Sequence, residues 1–182
     1  MPIIDGRIVM PALPTGRVLR VVTAPDPVLS TACIPVDPTD PEVVQLAADL
    51  LATQRVSPGC VGLAANQVGI GWQVFSLDVS VHPKARTSHG EFVLINAVVA
   101  SASRLEKGRE GCMSVPDFTG DVKRATRLVV SGELPVTGEH VVIDTDAFEA
   151  RAVQHELDHL AGLLFLDRTA GAHAIHPRQR YL

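Results

Sequence analysis

Gln154-His155-Glu156-Leu157-Asp158-His159 decides how the rest of the chain is read. It holds a His-Glu-x-x-His pattern late in a stretch with helical spacing that starts near Asp146. Phe148, Ala152, Leu157 and Leu160 form the buried stripe of that helix, and Gly162 is a natural stop. Asp146 and Glu149 stand in the Asp-x-x-Glu relation of a capping box. Four residues advance a helix by about 400°, so His155 and His159 lie one turn apart on one face. That placement suits two nitrogen ligands on one metal ion. Glu156, beside the first ligand, is placed to reach water at the ion and to move its proton. Two histidines on a solvated helix face would match the same spacing by chance, but the apolar cover around this pair argues against that reading.

A catalytic site of this kind usually takes a third protein ligand and keeps one position open. An extended helix motif with a third histidine fails here, because Phe165 occupies the required place. A downstream glutamate ligand also fails, because no glutamate follows Glu156. His173 and His176 remain as late candidates in a polar tail, where the plainer reading is a solvated terminus. The upstream candidate is Cys112, in Glu110-Gly111-Cys112-Met113-Ser114-Val115-Pro116. A thiolate is a strong ligand for Zn²⁺ or Fe²⁺ and brings the negative charge that two neutral imidazoles lack. Taken alone, a Gly-Cys pair reads equally well as a buried structural thiol.

Farther out, Asp40-Pro41-Glu42 has the order of a helix start: a capping side chain, proline at the first helical position, an acid in the first turn. Val43, Val44, Leu46, Ala47, Leu50 and Leu51 supply its apolar face, and the helix should end before Pro58-Gly59. Arg17–Thr23 reads as a short strand. Gln73–Val79, Phe92–Ala100, Arg127–Ser131 and His140–Ile143 are rich in Val, Ile and Phe and also read as strands. Strands gathered between two helices predict an α+β fold, mainly antiparallel, around the helix that carries the histidines. The 182 residues suit one domain with a core of its own.

Composition narrows the function. A net charge of −4 and no long basic run argue against sequence-independent nucleic-acid binding, which needs many cations to displace counterions. No apolar run approaches the roughly 20 residues of a membrane-spanning helix. Met1 to Gly16 carries three prolines and no apolar block of signal-peptide length, so the expected location is the cytoplasm. Cys33, Cys60 and Cys112 are far apart and odd in number, which does not suggest a disulfide framework.

Three motifs, in order, resemble the peptide deformylase family. Gly62-Leu63-Ala64-Ala65-Asn66-Gln67 is similar to the family's Gly-Leu-Ala-Ala-x-Gln. Glu110-Gly111-Cys112-Met113-Ser114 is similar to its Glu-Gly-Cys-Leu-Ser, and Gln154 to His159 is the third. With Pro25-Asp26-Pro27-Val28-Leu29 and Leu164-Phe165-Leu166-Asp167-Arg168, the resemblance spans roughly residues 17 to 168 of a single catalytic domain, 1–182. It implies hydrolysis of the N-formyl group of formyl-methionyl nascent peptides. Cys112, His155 and His159 would bind one divalent ion, Fe²⁺ in the cell and often Zn²⁺, Ni²⁺ or Co²⁺ after purification. Glu156 would be general base and then general acid. Gln67 and the Met113 backbone N–H would stabilise the oxyanion. Val61 and Gly62 would hold the substrate backbone by strand addition. Met113, Phe148 and Ala152 would help form the methionine pocket. Association with the ribosome is implied by the family alone.

The chain departs from the family pattern at three places. Cys60 stands where the first motif often begins with glycine, and Met113 replaces leucine. Thr119 occupies a place where many members carry a cleft arginine, while Arg124 is kept. Two alternatives remain: a general His-Glu-x-x-His metallopeptidase, and a catalytically silent deformylase-like binding protein. The first lacks a credible downstream ligand; the second would be expected to have lost a ligand or the acid.

Overall fold

In a computed structural model, the structure describes residues 2–179. A short hairpin, β1 (Ile3–Ile4) and β2 (Arg7–Ile8), precedes the main body. The first helix, α1, covers Pro41–Val56 and begins as its sequence predicts. Asp40 accepts from the Glu42 N–H at 2.8 Å, and the helix ends at Ser57, just before Pro58-Gly59.

Arg17–Thr23 does not form the expected strand. Its backbone finds side-chain partners on α1 instead of a neighbouring strand. The Arg17 N–H donates to the Asp49 carboxylate at 2.7 Å, and the Leu19 N–H to the Thr53 hydroxyl at 2.9 Å. The Val22 N–H donates to the Gln67 carbonyl at 2.8 Å. These backbone donors are thus met without a ladder, and Leu19 and Val21 pack against the apolar face of α1.

The main sheet runs β3 (Gly62–Ala64), β4 (Val74–Leu77), β5 (Phe92–Cys112), β6 (Val115–Glu133) and β7 (His140–Asp146). β8 (Ile175–Pro177) adds to β6 away from this path. Every pairing between these strands is antiparallel, which agrees with the expected α+β class. β5 and β6 form one long hairpin that closes at the pair Cys112↔Val115, so its turn carries Met113 and Ser114.

The second helix, α2, covers Ala147–Leu160. The capping box expected at its start is absent. Asp146 accepts from the Thr87 hydroxyl at 2.9 Å, and Glu149 takes the Thr145 hydroxyl at 2.6 Å together with the His89 N–H at 2.8 Å. Both acids are spent on tertiary contacts instead of on the first turn.

The period-two alternation of strands explains where the helices sit. Val74, Val93 and Ile95 face α1, packing with Val43, Leu46, Ala47 and Leu50. Phe75, Leu77, Phe92 and Leu94 face the other way, packing with Ala150, Val153 and Leu160 of α2. The central strands are therefore buried on both sides. A third small cluster joins Cys112, Val115 and Val122 to Phe165. Among the described residues no helix is long and apolar enough to cross a membrane.

Candidate metal centre and active site

Four pieces of chain meet at one end of the sheet. α2 presents His155, Glu156 and His159. The β5 end of the long hairpin brings Cys112. A 3-10 turn at Ala65–Val68 brings Gln67, and the edge strand β3 brings Gly62. The ligand atoms of Cys112, His155 and His159 all lie within 4.8 Å of one another. Cys112 Sγ is 3.3 Å from His159 Nε2, and the two imidazole centroids are 4.9 Å apart. His173 and His176, the late candidates, lie elsewhere. His176 pairs across β8 with Thr119 and reaches Asp121 at 3.2 Å, so this part of the tail belongs to the sheet.

Glu110 orients the first imidazole. It accepts from His155 Nδ1 at 2.9 Å, which leaves Nε2 for the cluster. Glu110 itself is gripped by Arg124 at 2.9 and 3.0 Å and by Arg151 at 2.9 Å. Arg124 also pairs with Asp158, which Arg168 holds at 2.8 and 3.1 Å. Burial alone would raise the Glu110 carboxyl, but the hydrogen bonds from His155 and Arg124 hold it down at about 2. On a strand, residues two apart share a face, and Glu110 and Cys112 are both buried on β5. That spacing was the signal available for Glu110; the role of Arg124 and Asp158 depends on contacts distant in sequence.

Glu156 is 3% exposed, and its Oε2 has no hydrogen-bond partner among the described residues. Burial pushes its carboxyl up to about 7, the range in which a proton carrier works near neutral pH. A Cβ at position 62 would lie 2.6 Å from Glu156 Oε1, so glycine there makes room for the carboxylate. Gln67 is fixed by the 3.0 Å bond from the Ala64 N–H to its Oε1. Its Nε2 then points at Cys112 Sγ (3.2 Å) and Ser114 Oγ (3.1 Å).

The charge balance suits a cation. Desolvation would lower the His155 imidazolium, yet contact with Cys112 and Glu110 and the nearby Glu156 charge hold it well above its ordinary value. His159 is pushed well below the usual range by burial and then by His155, and its Nδ1 lacks a partner. One sulfur and two nitrogen donors converging in an electronegative, mostly buried place fit a first-row divalent ion. Cys60 does not join them: burial and the Glu156 charge push its thiol up to about 12, and it contacts the Gly62 carbonyl at 3.1 Å.

A cleft of about 350 Å³ opens over this cluster. Val61, Gly62, Gln67, Cys112, Met113, Phe148, Ala152, His155 and Glu156 all line it, which brings together nearly every residue singled out in the sequence. His159 sits beneath the wall, 1% exposed. Thr119, marked in the sequence as the place of an absent cleft arginine, also lines the cleft; His82, Arg109 and Arg178 line it too, and the sequence had given them no role. His82 stacks on Phe148 with centroids 3.7 Å apart and planes 3° from parallel.

A buried carboxyl tuned toward neutrality, next to a converging sulfur and two ring nitrogens at the mouth of a cleft, defines the class of metal-dependent hydrolases. The comparisons with known proteins narrow that class. The family model described as Polypeptide deformylase matches residues 18–174. The chain is 43% identical over 151 residues to Peptide deformylase 1 of Vibrio vulnificus, covering 82% of this chain and 85% of that one. It is 40% identical over 157 residues to a peptide deformylase of Acidothermus cellulolyticus, covering 86% and 78%. Among solved structures, peptide deformylase from Thermotoga maritima superposes with a TM-score of 0.76 at 31% identity, covering 85% of this chain and 99% of that one. A Met-Ala-Ser-bound peptide deformylase from Acinetobacter baumannii gives 0.75 at 33% identity, covering 85% and 99%. The chain belongs to the polypeptide deformylase family.

Proposed function

We propose that this protein removes the N-formyl group from formyl-methionyl nascent polypeptides, releasing formate, and that its residues divide the work as follows. The whole chain, 1–182, is read as one catalytic domain acting in the cytoplasm, where such substrates emerge from the ribosome. Cys112, His155 and His159 hold one divalent ion. We favour Fe²⁺ in the cell, and Zn²⁺, Ni²⁺ or Co²⁺ suit the same donors. When bound, the ion supplies Lewis acidity, polarising the formyl oxygen and making water more acidic.

Glu156 takes a proton from the attacking water and returns it to the departing amine. Its partnerless Oε2 and raised carboxyl support this role. Negative charge that builds on the formyl oxygen meets the Gln67 amide nitrogen and the Met113 backbone N–H. Losing one such donor typically costs about 2.7–4 kcal/mol of barrier. β3 lies at the end of the sheet order, so the Val61–Gly62 stretch offers an edge on which a substrate backbone pairs. Met113, Phe148 and Ala152 form the methionine pocket, with His82 stacked behind Phe148.

The observation that carries this reading is the juxtaposition of Glu156 with the three ligand atoms. The test is metal content measured together with turnover of formyl-Met-Ala-Ser. A deformylase retains near-stoichiometric metal and releases formate. A general metallopeptidase would cleave internal peptide bonds, and a silent binding protein would do neither; either result removes the assignment.

A further inference from the structure

The cleft holds four Lys or Arg side chains: Lys84, Arg109, Arg151 and Arg178. Two are already committed. Arg109 pairs with Asp121 at 2.6 Å, and Arg151 with Glu110 at 2.9 Å. Lys84 belongs to the methionine-pocket side, because its backbone N–H contacts the ring of His82, which stacks on Phe148. Arg178 has no side-chain acceptor among the described residues.

Its place is set by strand pairing. β8 lies along β6 with Phe118↔Pro177 and Thr119↔His176 in register, and the Arg178 N–H continues the ladder to the Asp117 carbonyl at 2.8 Å. The guanidinium then lies across Gly111, the residue next to Cys112. A Cβ at 111 would sit 2.1 Å from Arg178 Nη2 and 3.4 Å from the Thr119 methyl, so glycine at 111 and a short side chain at 119 leave the space that the guanidinium fills. Arg178 lies beyond residues 18–174, the stretch matched to the family.

We propose that Arg178 is a substrate-binding residue, and that its guanidinium donates to acceptor oxygens of the peptide chain downstream of formyl-methionine. The inference rests on the deformylase reading of the same site. The recognised chemistry is an oxygen acceptor, supplied either by a backbone carbonyl or by the carboxylate of a short peptide. A planar fork of donors one residue from the metal-ligating thiolate is suited to hold that chain in line along the cleft.

The test uses the metal-loaded full chain with formyl-Met-Ala-Ser and its C-terminal amide. Arg178→Ala should raise KM about tenfold or more, as expected for losing a hydrogen bond from a charged group, with kcat within about twofold. Metal stoichiometry should be unchanged. A loss on both substrates assigns the carbonyl, and a loss on the free acid alone assigns the carboxylate. Arg178→Lys, or Thr119→Arg added to Arg178→Ala, should recover part of the KM. The second of these places a cation at the same rim from β6, so recovery separates charge from the integrity of β8. Equal KM in Arg178→Ala and the parent on both substrates, or rescue by neither replacement, overturns the proposal. If the parent releases formate while Arg178→Ala matches it, only this inference falls; if the parent neither turns over substrate nor binds Met-Ala-Ser, the deformylase reading falls with it.

Discussion

Glu110 and Cys112 stand two residues apart on one face of β5 and support the same cluster in different ways. Cys112 offers a candidate ligand atom, while Glu110 accepts from the ring of His155, which offers another. Cys112→Ala should abolish tight metal binding, since two neutral imidazoles make a weaker site. It should also lower the melting temperature of the metal-loaded protein, because an ion bound only to the folded state stabilises it by mass action. Elemental analysis checks the first point, and near-stoichiometric metal in the variant would remove Cys112 from the ligand set. Glu110→Gln keeps every ligand but loses the carboxylate on His155 Nδ1 and leaves Arg124 without its full partner. Metal affinity should fall by about 10–100-fold, measured by competition with a chelator. Unchanged affinity would reduce Glu110 to a strut of the hairpin. At this scale the sequence was most legible where chemistry shows as spacing: the two histidines one helical turn apart, the acid between them, the Gly-Cys pair. It did not show that Arg124 ties Glu110 to Asp158, pairs 14 and 34 residues apart in the chain, or that Arg178 reaches the cleft, because helix docking and strand register bring these groups together.

The elements tell a similar story. α1 was readable because its cap, its proline and its apolar face all agree. The sequence marks β5 only to Ala100, because from Ser101 to Lys107 its side chains are exposed and Leu105 is the one large apolar residue there to announce a strand. Backbone pairing with β6 sustains it there, and a pairing partner cannot be read from local composition. Arg17–Thr23 failed as a strand for the converse reason, its donors being met by Asp49 and Thr53 of α1. That tie should be sensitive to acid. Burial would raise the Asp49 carboxyl, but hydrogen bonds from the Arg17 side chain and backbone and from Gln45 hold it below its ordinary value. A carboxyl depressed in the folded state contributes stability above its unfolded pKa and loses it as pH falls through the folded one. Asp49→Asn should therefore melt at a lower temperature than the parent near neutral pH, with the gap closing from about pH 4 downward. A gap that stays constant with pH would show that charge at Asp49 is irrelevant to the tie. In β3 the constraint is steric. Gly62→Ala places a methyl against the Glu156 carboxylate, so deformylation should drop while the melting temperature changes little. Full activity would mean that Glu156 can swing aside without cost.

Over the whole molecule, α1 and α2 occupy opposite faces of one antiparallel sheet, and of the two α2 presents residues of the candidate cluster. α1 packs behind β4 and β5 and shields the strands that hold the cleft in place. The three candidate ligand atoms come from α2 and from the far end of the β5–β6 hairpin, so they converge only when distant parts of the chain have docked. The order of the motifs along the sequence was enough to suggest this family; the antiparallel path β3-β4-β5-β6-β7, with β8 laid on β6, was not readable and determines what else enters the cleft. In the proposed division of roles, Glu156 carries the proton while Cys112, His155 and His159 hold the ion. That division is tested most directly by formate release from formyl-Met-Ala-Ser, measured with metal stoichiometry, in the parent and in Glu156→Gln. The exchange keeps volume and removes proton transfer. The account predicts metal at the parent level and turnover lower by at least the roughly 10²–10⁴-fold typical of a lost general acid–base group. Turnover near the parent value would show that hydrolysis proceeds without Glu156, and loss of the metal would make Glu156 a ligand or a prop, either of which contradicts the division of roles.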